Sequence, residues 1–268
     1  MSEPARSDVA NRRVVYEIPG QDAVRTRRNV AYQSAGGETL PLDIYELPGS
    51  ERRAPRPAVI FVTGYNDLGM RKSVGCAAKE MASYASWGRL VAMCRMVGIT
   101  YECRDPAADA RALVGHVTRE ASSLGINPDR VALWSCSGNV PTALSVLMNV
   151  PGLAGAALCY GYLLDLDELT CVADAATTFR FATPAAGRSV SDLPADLPLM
   201  LVRAGRDEMP GLNAGLDRFV GHALAHNRPI SVINHHSGPH AFDIMDPSPA
   251  SRVAVRRVLD FLRTTLGA

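Results

Sequence analysis

The stretch from residue 131 to residue 147 constrains the fold of this chain more than any other feature. It reads Val-Ala-Leu-Trp-Ser-Cys-Ser-Gly-Asn-Val-Pro-Thr-Ala-Leu-Ser-Val-Leu, an apolar run that stops at small residues before a helical pattern. This order predicts a strand, a tight turn and a helix, with a nucleophilic side chain at the tip of the turn. The tip residue is strained, so the residues two positions away on either side must be small. With Ser137 at the tip these are Ser135 and Asn139, and Gly138 presents its backbone N–H beside the hydroxyl.

Cys136 is the alternative residue for the tip, and its thiolate would be the better intrinsic nucleophile. That register places the bulky Trp134 at a position that should be small. It also moves Pro141 deeper into the helix, where the missing N–H and the ring clash cost more. With Ser137 at the tip, Pro141 falls in the first turn, where its N–H would lack a partner anyway. The sequence therefore favours Ser137.

A serine hydroxyl needs a base to remove its proton, and the base needs a third group to orient it. Three of the six histidines lie in helical patterns and are predicted to be on the surface: His116, His222 and His226. The other three follow a predicted strand at 230–234, and a Ser-Gly-Pro turn precedes His240. Because this turn lifts His240 off the end of the strand, His240 is the predicted base. His235 and His236 are predicted to position the loop.

The acid is expected between the nucleophile and the base in the order Ser, Asp, His. Asp207 comes just after a proline-led apolar run at 197–204 and is the predicted acid. Glu208 is adjacent and remains an alternative, because loop geometry cannot be fixed to one residue from sequence. Asp165, after the preceding strand, is less favoured.

A tetrahedral intermediate needs two hydrogen-bond donors for its oxyanion. The Gly138 N–H is predicted to be one donor. The other is the Tyr65 N–H in the loop after the strand at 57–63, where Gly64 allows the turn.

Four residues are predicted to border the substrate: Tyr65, Met70, Phe179 and Met209. They are apolar or aromatic, which predicts small neutral esters with short acyl chains.

The chain resembles the α/β-hydrolases, and within them the dienelactone hydrolase-like and small bacterial carboxylesterase branch. The segments that carry the resemblance are 42–48, 62–66, 127–138, 203–207 and 239–242. It departs from the family pattern at Thr63, where His is usual, and at Ser135 and Asn139, where glycines are usual. The cysteine nucleophile of true dienelactone hydrolases does not map onto Ser137. The resemblance implies a serine esterase or lactonase that works through an acyl-enzyme and needs no cofactor.

Along the rest of the chain, strand-like and helix-like segments alternate, which predicts a mostly parallel, doubly wound α/β sheet. This sheet follows an antiparallel hairpin at 24–32 and 40–47. Residues 1–23 are expected to form a polar lead segment and residues 24–268 a single domain. Residues 161–196 break the alternation of strands and helices. They are predicted to form either a small cap over the nucleophile or a plain crossover helix with a long exit loop.

Composition limits the classes of function. A formal net charge of +1 and scattered basic residues argue against a nucleic-acid partner. No apolar stretch has the length of a signal peptide or a bilayer span, and six cysteines without framework spacing indicate reduced thiols. These features predict a cytoplasmic protein that acts on a small-molecule ester away from membranes.

Three other interpretations of the function compete with a serine esterase. A metal site is disfavoured, because the histidines near Asp243 lack the spacing of metal ligands. An acyltransferase or a peptidase of the same fold remains open, although such peptidases usually carry a large additional domain. A non-catalytic ligand-binding protein of this fold is the third alternative. The oligomeric state is left open.

Overall fold

The computed structural model describes residues 6–49 and 55–268. One sheet contains eight strands in the order β1-β2-β4-β3-β5-β6-β7-β8. The strands are β1 (Arg25–Gln33), β2 (Thr39–Glu46), β3 (Arg56–Phe61), β4 (Val97–Tyr101), β5 (Ile126–Cys136), β6 (Gly155–Cys159), β7 (Leu199–Ala204) and β8 (Ile230–His235). The α-helices of the described ranges are α1 (Asp8–Asn11), α2 (Asp67–Ser73), α3 (Ala82–Met93), α4 (Pro106–Arg119), α5 (Ala121–Leu124), α6 (Val140–Asn149), α7 (Cys171–Phe179), α8 (Leu212–Ala225), α9 (Phe242–Met245) and α10 (Pro249–Leu266).

The predicted fold class is confirmed. β1 and β2 form the antiparallel hairpin, with Tyr32 opposite Leu40, and β2 joins β4 antiparallel. From β4 through β3 to β8 every neighbouring pair is parallel. β3, β4 and β6 are buried along their whole length, as expected of parallel strands covered by helices on both faces.

Two apolar clusters cover the two faces of the sheet. One contains residues of α4, α6 and α8, such as Leu113 and Phe219. The other contains residues of α3 and α10, such as Trp87 and Leu259. Helices thus cover both faces of the sheet, and the carboxyl ends of the parallel strands lead into loops. Open α/β sheets bind their ligands at these strand ends.

Side-chain hydrogen bonds fix the residues at which two of the helices begin. A 3-10 turn at Ala78–Glu80 precedes α3, which begins at Ala82. The Glu80 carboxylate accepts a hydrogen bond from the Ala77 N–H at 2.9 Å and closes this turn. α4 starts at Pro106, with the Asp105 side chain accepting hydrogen bonds from two backbone N–H groups of the first turn.

The segment 161–196 contains α7 and a 3-10 turn at Val190–Asp192. Tyr162, Val172 and Phe181 from this segment form a small apolar cluster with Leu212 of α8. The segment is therefore packed onto the main domain by one helix and a long connection.

The lead segment also packs on the domain where it is described. Residues 1–5 lie outside the described residues, whereas Ala10 and Val14 are buried in the cluster that contains α3 and α10. The backbone N–H of Val15 donates to the carbonyl of Asp243 at 2.7 Å. This contact brings the lead segment against α9, the short helix that follows β8.

No helix in the described ranges is both long and apolar enough to cross a bilayer. Within residues 6–49 and 55–268, no group of three or more His, Cys, Asp or Glu side chains is arranged to hold a metal ion. The six cysteines are all free thiols.

Candidate active site

The turn that follows β5 has the strained geometry expected from its sequence. β5 ends at Cys136, and Ser137 takes a positive φ of 53°, which L-residues rarely adopt. A 3-10 turn at Ser137–Asn139 leads into α6, and Pro141 lies in the first turn of that helix. Ser137 is therefore the residue at the tip of the turn.

The structure brings Ser137, His240 and Asp207 into one hydrogen-bonded chain. Ser137 Oγ lies 2.9 Å from His240 Nε2, and His240 Nδ1 lies 2.7 Å from Asp207 Oδ2. The Asp207 side chain is fully buried, and its other oxygen accepts the Met209 N–H at 3.0 Å. His240 keeps 27% of its side chain exposed. A fixed carboxylate thus orients an imidazole that remains accessible beside the hydroxyl.

The other candidate acids lie elsewhere. Glu208 is exposed on the loop that holds Asp207. Asp165 accepts hydrogen bonds from the backbone N–H groups of Val172 and Ala173, at 2.8 and 3.0 Å, near the start of α7. Neither contacts His240, so among the three carboxylates considered from sequence the geometry selects Asp207.

Cys136, the alternative at the tip, has a thiol that strongly resists ionisation. Desolvation raises the pKa of the Cys136 thiol to about 12, and the nearby Asp243 carboxylate is a second cause. Since the thiolate and not the thiol is the nucleophile, this environment keeps the sulfur in its unreactive form at neutral pH.

Asn139 joins the Ser137 turn to the loop that follows β3. Its side-chain oxygen accepts the Gly64 N–H at 2.8 Å and the Thr63 hydroxyl at 3.4 Å. Its side-chain amide donates to Tyr84 Oη at 3.3 Å. The residue that stands in place of a usual glycine therefore fixes the distance between the two loops predicted to carry the oxyanion donors.

Gly64 and Gly138 are needed where these loops meet. A Cβ on Gly64 would lie 2.5 Å from the carbonyl oxygen of Gly138. A Cβ on Gly138 would lie 2.7 Å from the Tyr65 hydroxyl and 2.5 Å from the Phe181 ring. Tyr65 and the 161–196 segment thus approach the turn so closely that no side chain fits between them.

A cavity of about 400 Å³ opens beside the Ser137 hydroxyl. Two of the four residues predicted to border the substrate, Tyr65 and Met70, lie in its wall. The structure does not bring Phe179 and Met209 to it. Phe179 borders a separate cavity beside α7, and Met209 packs on the small cluster around Phe181. Their positions in the sequence did not reveal which way the end of α7 or the loop after β7 faces.

No family model matches the chain, and no curated protein matches its sequence. Many solved structures match its fold. An esterase from Pseudomonas putida superposes with a TM-score of 0.70 at 14% identity, over 94% of this chain and 86% of that one. A fungal esterase from Rhizomucor miehei gives a TM-score of 0.71 at 14% identity, over 92% and 84%. A bacterial heroin esterase gives 0.68 at 15% identity, over 94% and 87%. The chain has the α/β-hydrolase fold.

Within this α/β-hydrolase fold, sequence reasoning missed the carboxylate in the cavity wall. Asp243, considered only as a disfavoured metal ligand, lines the cavity and is 2% exposed. Trp87 Nε1–H donates to one of its oxygens at 2.8 Å, and the Tyr160 hydroxyl donates to the other at 2.6 Å. The three residues are far apart in sequence, so only the fold brings them together. The segment Pro-His-Ala-Phe-Asp at 239–243 was the one signal that placed this carboxylate near His240.

Proposed function

We propose that the chain hydrolyses small carboxylic esters through an acyl-enzyme formed on Ser137. The observation that carries the proposal is the hydrogen-bonded chain from Ser137 through His240 to Asp207. Ser137 Oγ lies 2.9 Å from His240 Nε2, and His240 Nδ1 lies 2.7 Å from Asp207 Oδ2. This chain lies beside the cavity of about 400 Å³. Nucleophile, base and orienting acid stand within hydrogen-bond reach in the order that acyl transfer requires.

The reaction proceeds in two halves. Ser137 Oγ attacks the ester carbonyl carbon while His240 Nε2 takes the hydroxyl proton, and a tetrahedral oxyanion forms. Collapse of this intermediate breaks the bond to the alcohol, which leaves with the proton that His240 returns. A water molecule then gives its proton to His240 and attacks the acyl-enzyme, and the carboxylic acid departs as Ser137 recovers its proton. Asp207 keeps the proton of His240 on Nδ1 and stabilises the imidazolium throughout.

Gly138 and Tyr65 are the proposed oxyanion donors. The Gly138 N–H follows Ser137 directly, as in other hydrolases that carry a nucleophile on a tight turn. The Tyr65 N–H donates to Thr63 Oγ1 over a long 3.3 Å, a bond that an oxyanion would readily replace. The Tyr65 hydroxyl faces the same turn and, within the described part of the chain, makes no hydrogen bond. Desolvation raises the pKa of Tyr65 to about 12, so this hydroxyl keeps its proton and offers a third donor beside the two N–H groups.

The cavity supports short acyl chains. A volume of about 400 Å³ is near the lower end of small-molecule sites, and Tyr65 and Met70 form part of its mostly apolar wall. We propose, from the sequence segments that resemble them, that the chain belongs with small carboxylesterases of the dienelactone hydrolase-like kind. We expect acetyl and butyryl esters to be hydrolysed faster than long-chain esters in a chromogenic series, and a maximum at long acyl chains would contradict this substrate class.

Labelling with an organophosphonate tests the nucleophile. The wild-type protein should gain one covalent phosphonate, and peptide mass spectrometry should locate it on Ser137. Ser137→Ala should lose both the label and the esterase activity, by several orders of magnitude. Cys136→Ser is the matched control, because it alters the neighbouring residue while leaving the hydroxyl in place, and it should keep the label on Ser137. A label on Cys136, or an unlabelled protein that hydrolyses no ester, would refute the proposal.

A further inference from the structure

The wall of the Ser137 cavity is aromatic and carries one carboxylate. Five aromatic residues line it: Tyr65, Tyr84, Trp87, Trp134 and Tyr160. The rings of Trp87 and Trp134 lie 4.9 Å apart, and the Tyr84 ring meets Trp134 edge-on at 6.2 Å. Among the described residues that form this wall there is no arginine or lysine, and Asp243 is the one acidic side chain. The cavity is therefore suited to a cation more than to an anion.

Asp243 is a buried carboxylate whose side-chain hydrogen bonds come from neutral groups. Its two donors are the Trp87 indole N–H and the Tyr160 hydroxyl, at 2.8 and 2.6 Å. Burial raises the pKa of the Asp243 carboxyl, and these two hydrogen bonds act against that rise. Buried carboxylates are normally paired with a positive charge. A cation held in the cavity would supply that charge and favour the ionised carboxylate.

We propose that this cavity binds esters that carry a protonated or quaternary ammonium group. The inference rests on the proposed esterase function and names its substrate class. Aromatic faces attract ammonium ions electrostatically, most strongly where water is excluded, and the Asp243 carboxylate, once ionised, adds a negative charge to the same wall. This differs from the neutral esters expected from sequence, because the sequence did not show that Asp243 faces the cavity.

The carboxylate is also well placed relative to the nucleophile. The Tyr160 hydroxyl donates to Asp243, and the Tyr160 ring packs edge-on against the His240 ring with centroids 5.2 Å apart. His240 in turn bonds to Ser137. An ammonium group beside Asp243 and Tyr160 would therefore hold its ester bond in the part of the cavity that contains the nucleophile.

Acetylcholine and 3,3-dimethylbutyl acetate provide a matched pair of probes. They have the same shape and differ in one atom, a quaternary nitrogen in the first and a carbon in the second. We expect the wild-type kcat/KM to be at least tenfold higher for the charged ester. In Asp243→Asn the ratio of the two kcat/KM values should fall at least tenfold, because the amide keeps the shape and removes the charge. The control Asp260→Asn makes the same change at an exposed site on α10 and should keep the wild-type ratio.

Equal kcat/KM values for the two esters in the wild-type protein would overturn the proposal. So would an Asp243→Asn variant that loses activity on both esters in the same proportion, because that result assigns Asp243 to positioning His240 and Tyr160.

A binding measurement on the wild-type protein keeps the inference testable if Asp243→Asn does not fold. Both tryptophans of the chain lie in the cavity wall, so their fluorescence reports on its contents. Titration with tetramethylammonium chloride should change the fluorescence saturably and inhibit hydrolysis of a neutral chromogenic ester competitively. Sodium chloride at the same ionic strength should do neither, and identical responses to the two salts would refute the cation site. A protein that hydrolyses no ester but binds tetramethylammonium would refute the esterase function and retain the cation site.

Discussion

Ser137 holds a backbone conformation that is costly for a residue with a Cβ. A φ of 53° outside glycine costs on the order of 1–3 kcal/mol and persists only where the surrounding structure enforces it. Here the Ser137 carbonyl accepts the Tyr162 N–H at 3.3 Å, and the carbonyl of the next residue, Gly138, lies against Gly64. The strain directs the hydroxyl towards His240 and away from the buried end of β5.

Asp207 and Glu208 allow a direct test of the acid, because they are adjacent and differ in burial. Asp207→Asn should lower kcat by about 10³- to 10⁴-fold, since an amide at this position favours the wrong tautomer of His240. Glu208→Gln removes an exposed charge on the same loop and should change kcat less than twofold. Steady-state kinetics on one chromogenic ester, with circular dichroism to establish folding, measures both. If Glu208→Gln lowered kcat strongly and Asp207→Asn did not, the acid would be Glu208 and not Asp207.

Tyr65→Phe separates the two oxyanion donors that this residue offers. The change removes the hydroxyl near Gly138 and leaves the backbone N–H in place. If the hydroxyl binds the oxyanion, kcat should fall by about 10²-fold with little change in KM, because the interaction forms only in the transition state. We expect this result, since the hydroxyl has no hydrogen-bond partner within residues 6–49 and 55–268. An unchanged kcat would assign the oxyanion to the N–H alone.

At the scale of elements, the site depends on two loops from neighbouring parallel strands. β3 and β5 are paired, with Phe61 opposite Trp134, so the loops that follow them begin side by side. Asn139 then joins the loops through the Gly64 N–H. This contact explains how the turn functions with an asparagine where glycine is usual. The side chain stays buried and its amide satisfies groups from the loop after β3.

Asn139→Ala should weaken both the fold and the site. The change leaves the buried Gly64 N–H and the Tyr84 hydroxyl without their partner, which should lower the free energy of unfolding by about 1–3 kcal/mol. It should also lower kcat at least tenfold, because the two oxyanion donors are no longer held at a fixed distance. Asn127→Ala is the control, since within the described residues the Asn127 side chain bonds only to the Asp129 N–H, in a solvent-exposed contact near the start of β5. Urea denaturation and kinetics measure the pair, and equal effects of the two changes would contradict the role of Asn139.

At the scale of the whole molecule, the order of strands and helices could be predicted from periodicity. The hairpin and the parallel strands follow from alternation and from short apolar runs, which depend on local sequence alone. The grouping of Ser137, Asp207 and His240 also followed from sequence, because each comes just after a strand and parallel strands end at one edge. Phe179 and Asp243 could not be placed in the same way. Whether a residue in a short connecting helix faces the cavity depends on tertiary contacts such as the hydrogen bond between Trp87 and Asp243, made by residues 156 positions apart.

Asp67 ties together three separate parts of the chain. It is fully buried at the start of α2, and its two oxygens accept the backbone N–H groups of Ala78 and Cys103, each at 2.7 Å. Ala78 lines the cavity, and Cys103 follows β4. Desolvation is the largest cause that raises the pKa of Asp67 to about 6, from its ordinary value of 3.8.

This shift predicts how the stability of the whole protein changes with pH. Between pH 3.8 and about 6 the folded protein keeps a proton on Asp67 that the unfolded chain has already lost. The contribution of Asp67 to the free energy of unfolding therefore falls as pH rises through this window, by on the order of 3 kcal/mol, and remains low above it. Asp67→Asn cannot titrate, so the unfolding free energy of the wild-type protein minus that of the variant should decrease from pH 4 to pH 6.5. Taking this difference from urea denaturation removes the contribution of every other group that titrates in the same range. A difference that stays constant or increases with pH would show that Asp67 ionises in the folded protein as readily as in the unfolded chain.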